Sequence, residues 1–193
     1  MEYALAVDGA PASVPAGTGV LLLHPSTGET DRIDTDFLRE DTDRFLVVST
    51  RTTAREVDQK LEYYDVDGSK AEILDTLSVE RGYSRRSSDR VHYVSAPDDL
   101  DGILTQARRF LEENDGRLRV SLDSITELAY YADDPEAVMD TVEQLLALID
   151  DHGAVGLFHL STEVHDDEEV AAYRALFDGV VELHEDGSVT SDF

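Results

Sequence analysis

The residues that could do chemistry lie at two places far apart in the chain. An apolar run, Leu118-Arg119-Val120-Ser121-Leu122, leads into Asp123 and the small hydroxyl residue Ser124. A strand ending on an acid puts a carboxylate at the rim of a sheet, where it can hold a divalent cation. Upstream, residues 20–23 (Val-Leu-Leu-Leu) run into His24-Pro25-Ser26-Thr27-Gly28-Glu29-Thr30. Such a loop can aim backbone N–H groups at an anion; Gly28 permits the turn, and the Thr30 hydroxyl suits magnesium. Together the two places suggest a cradle for a polyphosphate and Mg. The charge opposes it. Glu29 stands where a lysine would span the outer phosphates. At about 4 Å and an effective dielectric near 20, one charge pair is worth about 4 kcal/mol, so reversing its sign costs orders of magnitude in affinity.

Each signal has a plainer alternative. Asp123 could cap a helix starting near Ile125, and residues 24–30 could be a relic turn. Arg81, Arg85, Arg86 and Arg90 form a basic island. It suits an anionic group or an acidic partner, or its arginines pair with nearby surface acids. His159 and His165 lie near Glu163, Asp166 and Asp167 without metal-ligand spacing, so a polar loop is expected there and no metal site. Tyr130 and Tyr131 could stack on a base, but core packing is the commoner use of such residues and is expected here. No nucleophilic serine motif or dinucleotide fingerprint is present, so unrelated enzymatic chemistry has no motif behind it.

The elements that must position these residues alternate. Strands are expected at residues 20–23, 45–48, 71–74, 118–122 and 154–160, with a short extra one at 91–94. Helices carry Ala54, Val57, Leu61 and Tyr64; Leu100, Ile103, Leu104, Ala107, Phe110 and Leu111; and Val138, Val142, Leu145, Leu146 and Ile149 on single faces. Asp134-Pro135-Glu136 opens the last of these as a cap, a first-turn proline and a dipole-matched acid. A short helix is expected around residues 170–177. Residues 180–183 and 188–190 flank Asp186-Gly187 as a hairpin. Residues 78–90 read as irregular, and residues 1–18 as a short strand plus loop. Strand–helix alternation implies an α/β fold with a mainly parallel sheet covered on both faces. With no linker or repeat, 193 residues suit one domain, 1–193.

Composition narrows the setting. There is no cysteine, so neither a disulfide nor a thiolate metal site can form. No apolar run reaches membrane-spanning length, and no basic leader opens the chain, so a cytoplasmic location away from membranes is expected. Asp and Glu number 43 against 16 Lys and Arg, a net charge of −27, and Lys60 and Lys70 are the only lysines. The acids are dispersed between periodic apolar residues, which favours adaptation to a high-salt cytoplasm over an acidic tail or nucleic-acid mimicry. Sequence-independent nucleic-acid binding is not expected.

In order and motif the chain resembles a single KaiC-type domain of the RecA-like ATPase superfamily over nearly its whole length. The segment from Pro15 to Leu23 is similar to that family's lead-in strand, and Pro25 to Thr30 sits at its phosphate loop. Phe45 to Thr50 matches the next strand, Val120 to Thr126 its Walker B segment, and Phe177 to Leu183 its late strand. It also resembles a group of small haloarchaeal proteins of this type without assigned activity. The resemblance implies a three-layer α/β/α sandwich, a RecA-like mainly parallel sheet with a C-terminal antiparallel hairpin. It also implies a nucleotide site at Ser26, Thr27, Gly28, Glu29, Thr30, Asp123 and Ser124, with Mg on Thr30 and Asp123. The departures are Leu23 where the loop glycine stands, Glu29 for the lysine, and Ser49-Thr50-Arg51-Thr52 where catalytic acids follow the second strand. The expectation is a degenerate domain with no catalytic residues and little or no ATPase activity. It would act in regulation or signalling through a protein partner, with no cofactor. The alternative is an ATP- and Mg-binding switch with weak or no hydrolysis. The relatives' ring assemblies leave homo-oligomerisation open.

Overall fold

The computed structural model describes residues 1–26, 29–85 and 88–193. Thr27, Gly28 and Arg86, three of the site candidates, lie outside the described residues. Two short strands, β1 (Glu2–Ala4) and β2 (Ser13–Pro15), pair antiparallel near the N-terminus. The main sheet has eight strands in the order β10-β9-β3-β8-β7-β4-β5-β6. They are β3 (Gly19–His24), β4 (Arg44–Ser49), β5 (Ala71–Asp75), β6 (Val91–Tyr93), β7 (Leu118–Asp123), β8 (Val155–Ser161), β9 (Gly179–Leu183) and β10 (Val189–Asp192). Every pairing in it is parallel except the closing β9–β10 hairpin. This is the expected α/β sandwich with its C-terminal hairpin.

Burial on both faces explains why the central strands read as continuous apolar runs. Alternate residues feed two separate cores. Leu21, Leu23, Leu46, Val48, Val120 and Leu122 face α3 (Leu100–Glu113), α4 (Ile125–Tyr131) and α5 (Pro135–Asp151). Val20, Leu22, Phe45, Val47, Ile73 and Leu157 face α1 (Asp31–Arg39), α2 (Ala54–Tyr63) and the N-terminal hairpin. Helix starts follow capping chemistry. Thr53 and Glu56 form a reciprocal capping box on α2, and the Asp134 carboxylate accepts the Glu136 N–H at 3.0 Å with Pro135 in the first turn. α6 (Asp167–Arg174) begins three residues earlier than expected, because Asp166 and Glu169 make a second capping box.

Strand β8 shows how tightly the layers meet. A Cβ built on Gly156 would lie 2.6 Å from Ile149 Cδ1 of α5 and 2.7 Å from a Phe158 ring carbon. Both neighbours are buried. Gly156→Ala is therefore expected to destabilise the fold by about 1–3 kcal/mol through overpacking. Urea unfolding monitored by circular dichroism reads this out, and an unchanged midpoint would contradict it.

Candidate functional site

The parallel register brings the candidate residues to one rim. Ser49 stands opposite Asp123, Leu22 opposite His159, and His24 opposite Ser161. Between β3 and β4 the chain crosses over the strands later filled by β8 and β7. The ends of β3, β4, β7 and β8 therefore surround a crevice at the carboxyl edge, the usual ligand position in such sheets.

Asp123 ends β7 and is 8% exposed. Its two carboxylate oxygens accept from Arg51, Nε on Oδ1 and Nη2 on Oδ2, each at 2.8 Å. Burial alone would push the Asp123 carboxyl up. The positive partners around it, Arg51 and Lys60 included, outweigh burial and hold it below the usual carboxylate range. Arg51 in turn is raised: burial opposes its charge, and the Asp123 contact overcomes that. Bidentate guanidinium–carboxylate pairing of this kind is among the stronger polar contacts. Arg51 belongs to the Ser49-Thr50-Arg51-Thr52 segment, which the sequence marks only by its missing acids. Thr50 completes the junction. Its N–H and hydroxyl both donate to the Asp123 carbonyl, and its hydroxyl oxygen accepts from the Ser124 N–H at 2.7 Å. The Asp123–Ser124 peptide is cis. The cap of α4 is Ser124, whose hydroxyl accepts the Glu127 N–H at 3.2 Å, and not Asp123.

At the loop, the Ser26 N–H donates to a Glu163 carboxylate at 2.8 Å, and the Ser26 and Ser161 hydroxyls lie 2.8 Å apart. A side-chain carboxylate thus occupies a backbone donor of the kind that a bound anion would use. Glu29 is exposed, and Thr30 is buried at the N-cap of α1 without a side-chain capping bond. Asp31 and Asp34 already set negative charge against the positive end of that helix.

Beneath the rim lies a buried polar cluster not apparent in the sequence pattern. Asp34 of α1 is fully buried. Its Oδ2 accepts from Lys60 Nζ of α2 at 2.8 Å, and its Oδ1 accepts from the Ser121 hydroxyl of β7 at 2.5 Å and from His159 Nε2 of β8 at 3.2 Å. Burial pushes the Asp34 carboxyl up, but Lys60 and His159 overcome it and hold the group far below its ordinary range. Lys60 is raised in turn, its burial outweighed by Asp34. His159 Nδ1 lies 3.9 Å from Asp123 Oδ1, which links this cluster to the Arg51–Asp123 pair. His159 is therefore a core residue of a central strand, not part of a polar loop. His24 packs edge-on against it, ring centroids 5.7 Å apart. His24 Nδ1 donates to the Pro25 carbonyl, while burial lowers its pKa. Its Nε2 has no partner among the described residues. The one available signal was that Lys60 is one of only two lysines. Among the described residues no group of acids, histidines or cysteines is arranged to hold a metal ion.

The basic island is divided. Arg90 is engaged, with Nη1 donating to the Gly68 and Ala71 carbonyls and Nη2 to Asp58 at 3.4 Å. Arg81 and Arg85 are exposed, and Arg81 donates to the Tyr131 hydroxyl at 2.9 Å. Tyr130 is 79% exposed, so it is a surface residue and not the core residue expected.

The family of unknown function DUF7090 matches residues 1–193. The chain belongs to that family. No curated protein matches. Among solved structures, this DUF7090 chain is similar to a KaiC-like protein of the hyperthermophilic archaeon Pyrococcus horikoshii OT3. The TM-score is 0.68 and the identity 14%, covering 99% of this chain and 85% of that one. It is also similar to a prototypical ATPase from the type III secretion system of pathogenic bacteria. There the TM-score is 0.65 and the identity 13%, covering 96% of this chain and 57% of that one, so it spans little more than half of that ATPase. At such identities the likeness establishes the fold alone: this chain has the RecA-like α/β architecture that those two structures share. No described helix is long and apolar enough to cross a membrane.

Proposed function

We propose that this DUF7090 protein is a single RecA/KaiC-like domain, residues 1–193, that has lost ATPase chemistry and acts as a regulatory or signalling protein through protein–protein contacts in a high-salt cytoplasm. The observation that carries this reading is the Arg51–Asp123 pair, which engages both oxygens of the acid that would hold magnesium. Hydrogen bonds to charged groups are worth about 1.5–3 kcal/mol each, so freeing Asp123 for a metal costs at least about 3 kcal/mol. That is roughly a hundredfold in affinity. Glu29 at the lip and Glu163 on the Ser26 N–H add negative charge where phosphates would lie. Residues 49–52, where catalytic acids would follow the second core strand, carry no carboxylate to activate water, which supports the absence of hydrolysis.

A nucleotide-binding switch using Ser26, Thr27, Gly28, Thr30 and Asp123 is the second reading. It is favoured by the uncapped start of α1, the kind of helix end that takes anions. Calorimetric titration of ATP with Mg into the protein in multimolar KCl separates the two. No heat of binding at micromolar nucleotide is expected. The Glu29→Lys, Arg51→Ser double variant is expected to bind at least tenfold more tightly than the unmodified chain. A micromolar Kd in the unmodified protein would overturn the first reading in favour of the switch.

A further inference from the structure

A cleft of about 250 Å³ lies between the start of α5 and α6. Met139, Ala172 and Tyr173 give it apolar walls. Its charged lining residues are Glu136, Asp166, Glu168 and Glu169, all of them acids. Helix capping accounts for two. An Asp166 carboxylate oxygen accepts the Glu169 N–H at 2.8 Å, and a Glu169 oxygen accepts the Asp166 N–H at 3.2 Å. The Glu136 and Glu168 carboxylates have neither a hydrogen bond nor an ion pair among the described residues. On a chain of net charge −27, acids alone do not mark a site. Tyr173 does. It is 4% exposed, and its hydroxyl makes no hydrogen bond to a described residue. A buried phenol ordinarily finds a partner. Nor is this hydroxyl sealed in the core, since the fully buried side-chain atoms left without partners are on His24, Arg44, Arg119 and His159. The cleft is the space that Tyr173 borders. Burial and, second to it, Glu169 push the phenol up to about 12, so it stays protonated and can both donate and accept. His165, outside the lining, packs edge-on against the ring with centroids 6.1 Å apart, its Nδ1 3.5 Å from Glu169 Oε2.

We propose that this cleft receives one arginine side chain of a protein partner, its methylene stem against Met139 and Ala172, its guanidinium on the Glu136 and Glu168 carboxylates, and one N–H donated to the Tyr173 hydroxyl. The inference rests on the protein-contact reading above and names the chemistry of the partner. Charge complementarity and the unpartnered phenol carry it together. A metal ion is a poor occupant, because no group of acids, histidines or cysteines among the described residues is arranged to hold one. The volume lies below the roughly 300–1,000 Å³ of small-molecule sites and suits a single side chain. Arginine fits better than lysine. Its guanidinium is planar and weakly hydrated, offers five N–H donors and rests well on an aromatic face, whereas an ammonium holds its water tightly. In molar salt the Debye length is about 3 Å, so general attraction to the acidic surface is screened. Direct guanidinium–carboxylate contacts and burial of the stem remain, and the cleft supplies both.

Selection from a random peptide library against the full chain in multimolar KCl tests the proposal. Enriched peptides are expected to share one arginine, and its replacement by lysine to weaken binding about tenfold. The double variant Glu136→Gln, Glu168→Gln is expected to bind at least about tenfold more weakly. A control pair, Glu62→Gln with Glu112→Gln, removes the same charge from exposed positions elsewhere and should bind as the parent does. Tyr173→Phe deletes an atom that has no partner in the free protein. Its thermal melt should superimpose on the parent's while binding falls about threefold to tenfold. Absence of enrichment, a motif without arginine, or equal binding by the lysine peptide, the double variant or Tyr173→Phe would each overturn it. So would an equal loss in the control pair, which would reduce the effect to net charge. Sedimentation as a dimer that the double variant dissociates would also overturn it, assigning the cleft to a second copy. The outcome is separable from the parent reading: micromolar ATP binding defeats the non-catalytic assignment, whereas a failed selection with no nucleotide binding defeats only this cleft.

Discussion

Replacing Lys60 with methionine is expected to destabilise the protein by about 3–5 kcal/mol, the cost of stranding one member of a buried ion pair. The Asp34 side chain is 1% exposed and the Lys60 side chain 16%, so solvent cannot take over the lost contact. Ser121 and His159 would remain on Oδ1, while Oδ2 would face a methyl group. For a chain of this length each kcal/mol moves the melting temperature by roughly 2–4 °C, so a fall of roughly 6–20 °C is expected. A double-mutant cycle with Asp34→Asn isolates the pair. The two changes together should cost less than the sum of the singles, with a coupling above about 1.5 kcal/mol. A Lys60→Met protein within about 1 kcal/mol of the parent would show that the pair does not hold the rim together.

The same pair fixes the pH dependence. Asp34 has its pKa depressed in the folded state, because Lys60 and His159 outweigh its burial. Its contribution is therefore present above the unfolded value near 3.9 and is lost as pH falls below it. Lys60 is raised in the folded state, so its contribution is present below the unfolded value near 10.4 and is lost as pH rises through the folded one. Stability should be flat between about pH 4 and about pH 10 as far as this pair is concerned. Without Lys60, desolvation dominates the Asp34 carboxyl, and the acid limb should move toward neutral pH.

This cluster also marks the limit of reading the sequence. The sheet was legible because its strands are buried on both faces and appear as apolar runs. α2, α3 and α5 were legible because their apolar positions repeat at helical spacing. α1 was not, since Asp31, Asp34, Thr35 and Asp36 dilute its three apolar residues, Ile33, Phe37 and Leu38. Two of those polar residues, Asp34 and Thr35, are buried, which inverts the usual pattern. Asp123 was visible as a strand-ending acid, yet its partner is 72 residues upstream. Arg51 reads as an ordinary residue after a strand until the β4–β7 register sets it beside that acid. The candidate loop fared similarly: Glu29 announced the missing lysine, but the carboxylate on the Ser26 N–H comes from Glu163, beyond β8. Local pattern specifies elements; the parallel crossovers decide which distant side chains meet, and the chemistry depends on those meetings.

Diluting the salt is expected to unfold the protein. Its net charge is −27, and exposed acids such as Asp8, Glu112, Asp115, Asp133, Glu143 and Glu168 have no cationic partner among the described residues. The arginines that could offset them are largely committed to other carboxylates, as at Glu72, which gathers Arg44 and Arg109. At about 1 M salt the Debye length of about 3 Å confines repulsion to adjacent groups; at about 0.1 M it reaches about 10 Å, and neighbouring acids across a helix face repel one another. Summed over such a surface, this competes with a net stability of only about 5–15 kcal/mol. Thermal melts followed by circular dichroism from about 3 M down to about 0.1 M KCl should show the midpoint falling steeply, with the cooperative transition lost below about 1 M. Screening can be told apart from general salting-out of apolar surface by changing the charge itself. A variant carrying Glu112→Lys, Asp115→Lys, Asp133→Lys, Glu143→Lys and Glu168→Lys should fold at lower salt. If repulsion is the cause, its midpoint curve moves along the salt axis while the high-salt plateau stays in place. An unchanged salt requirement in that variant, or a cooperative fold retained by the unmodified chain at about 0.1 M KCl, would contradict the role assigned to the acidic surface.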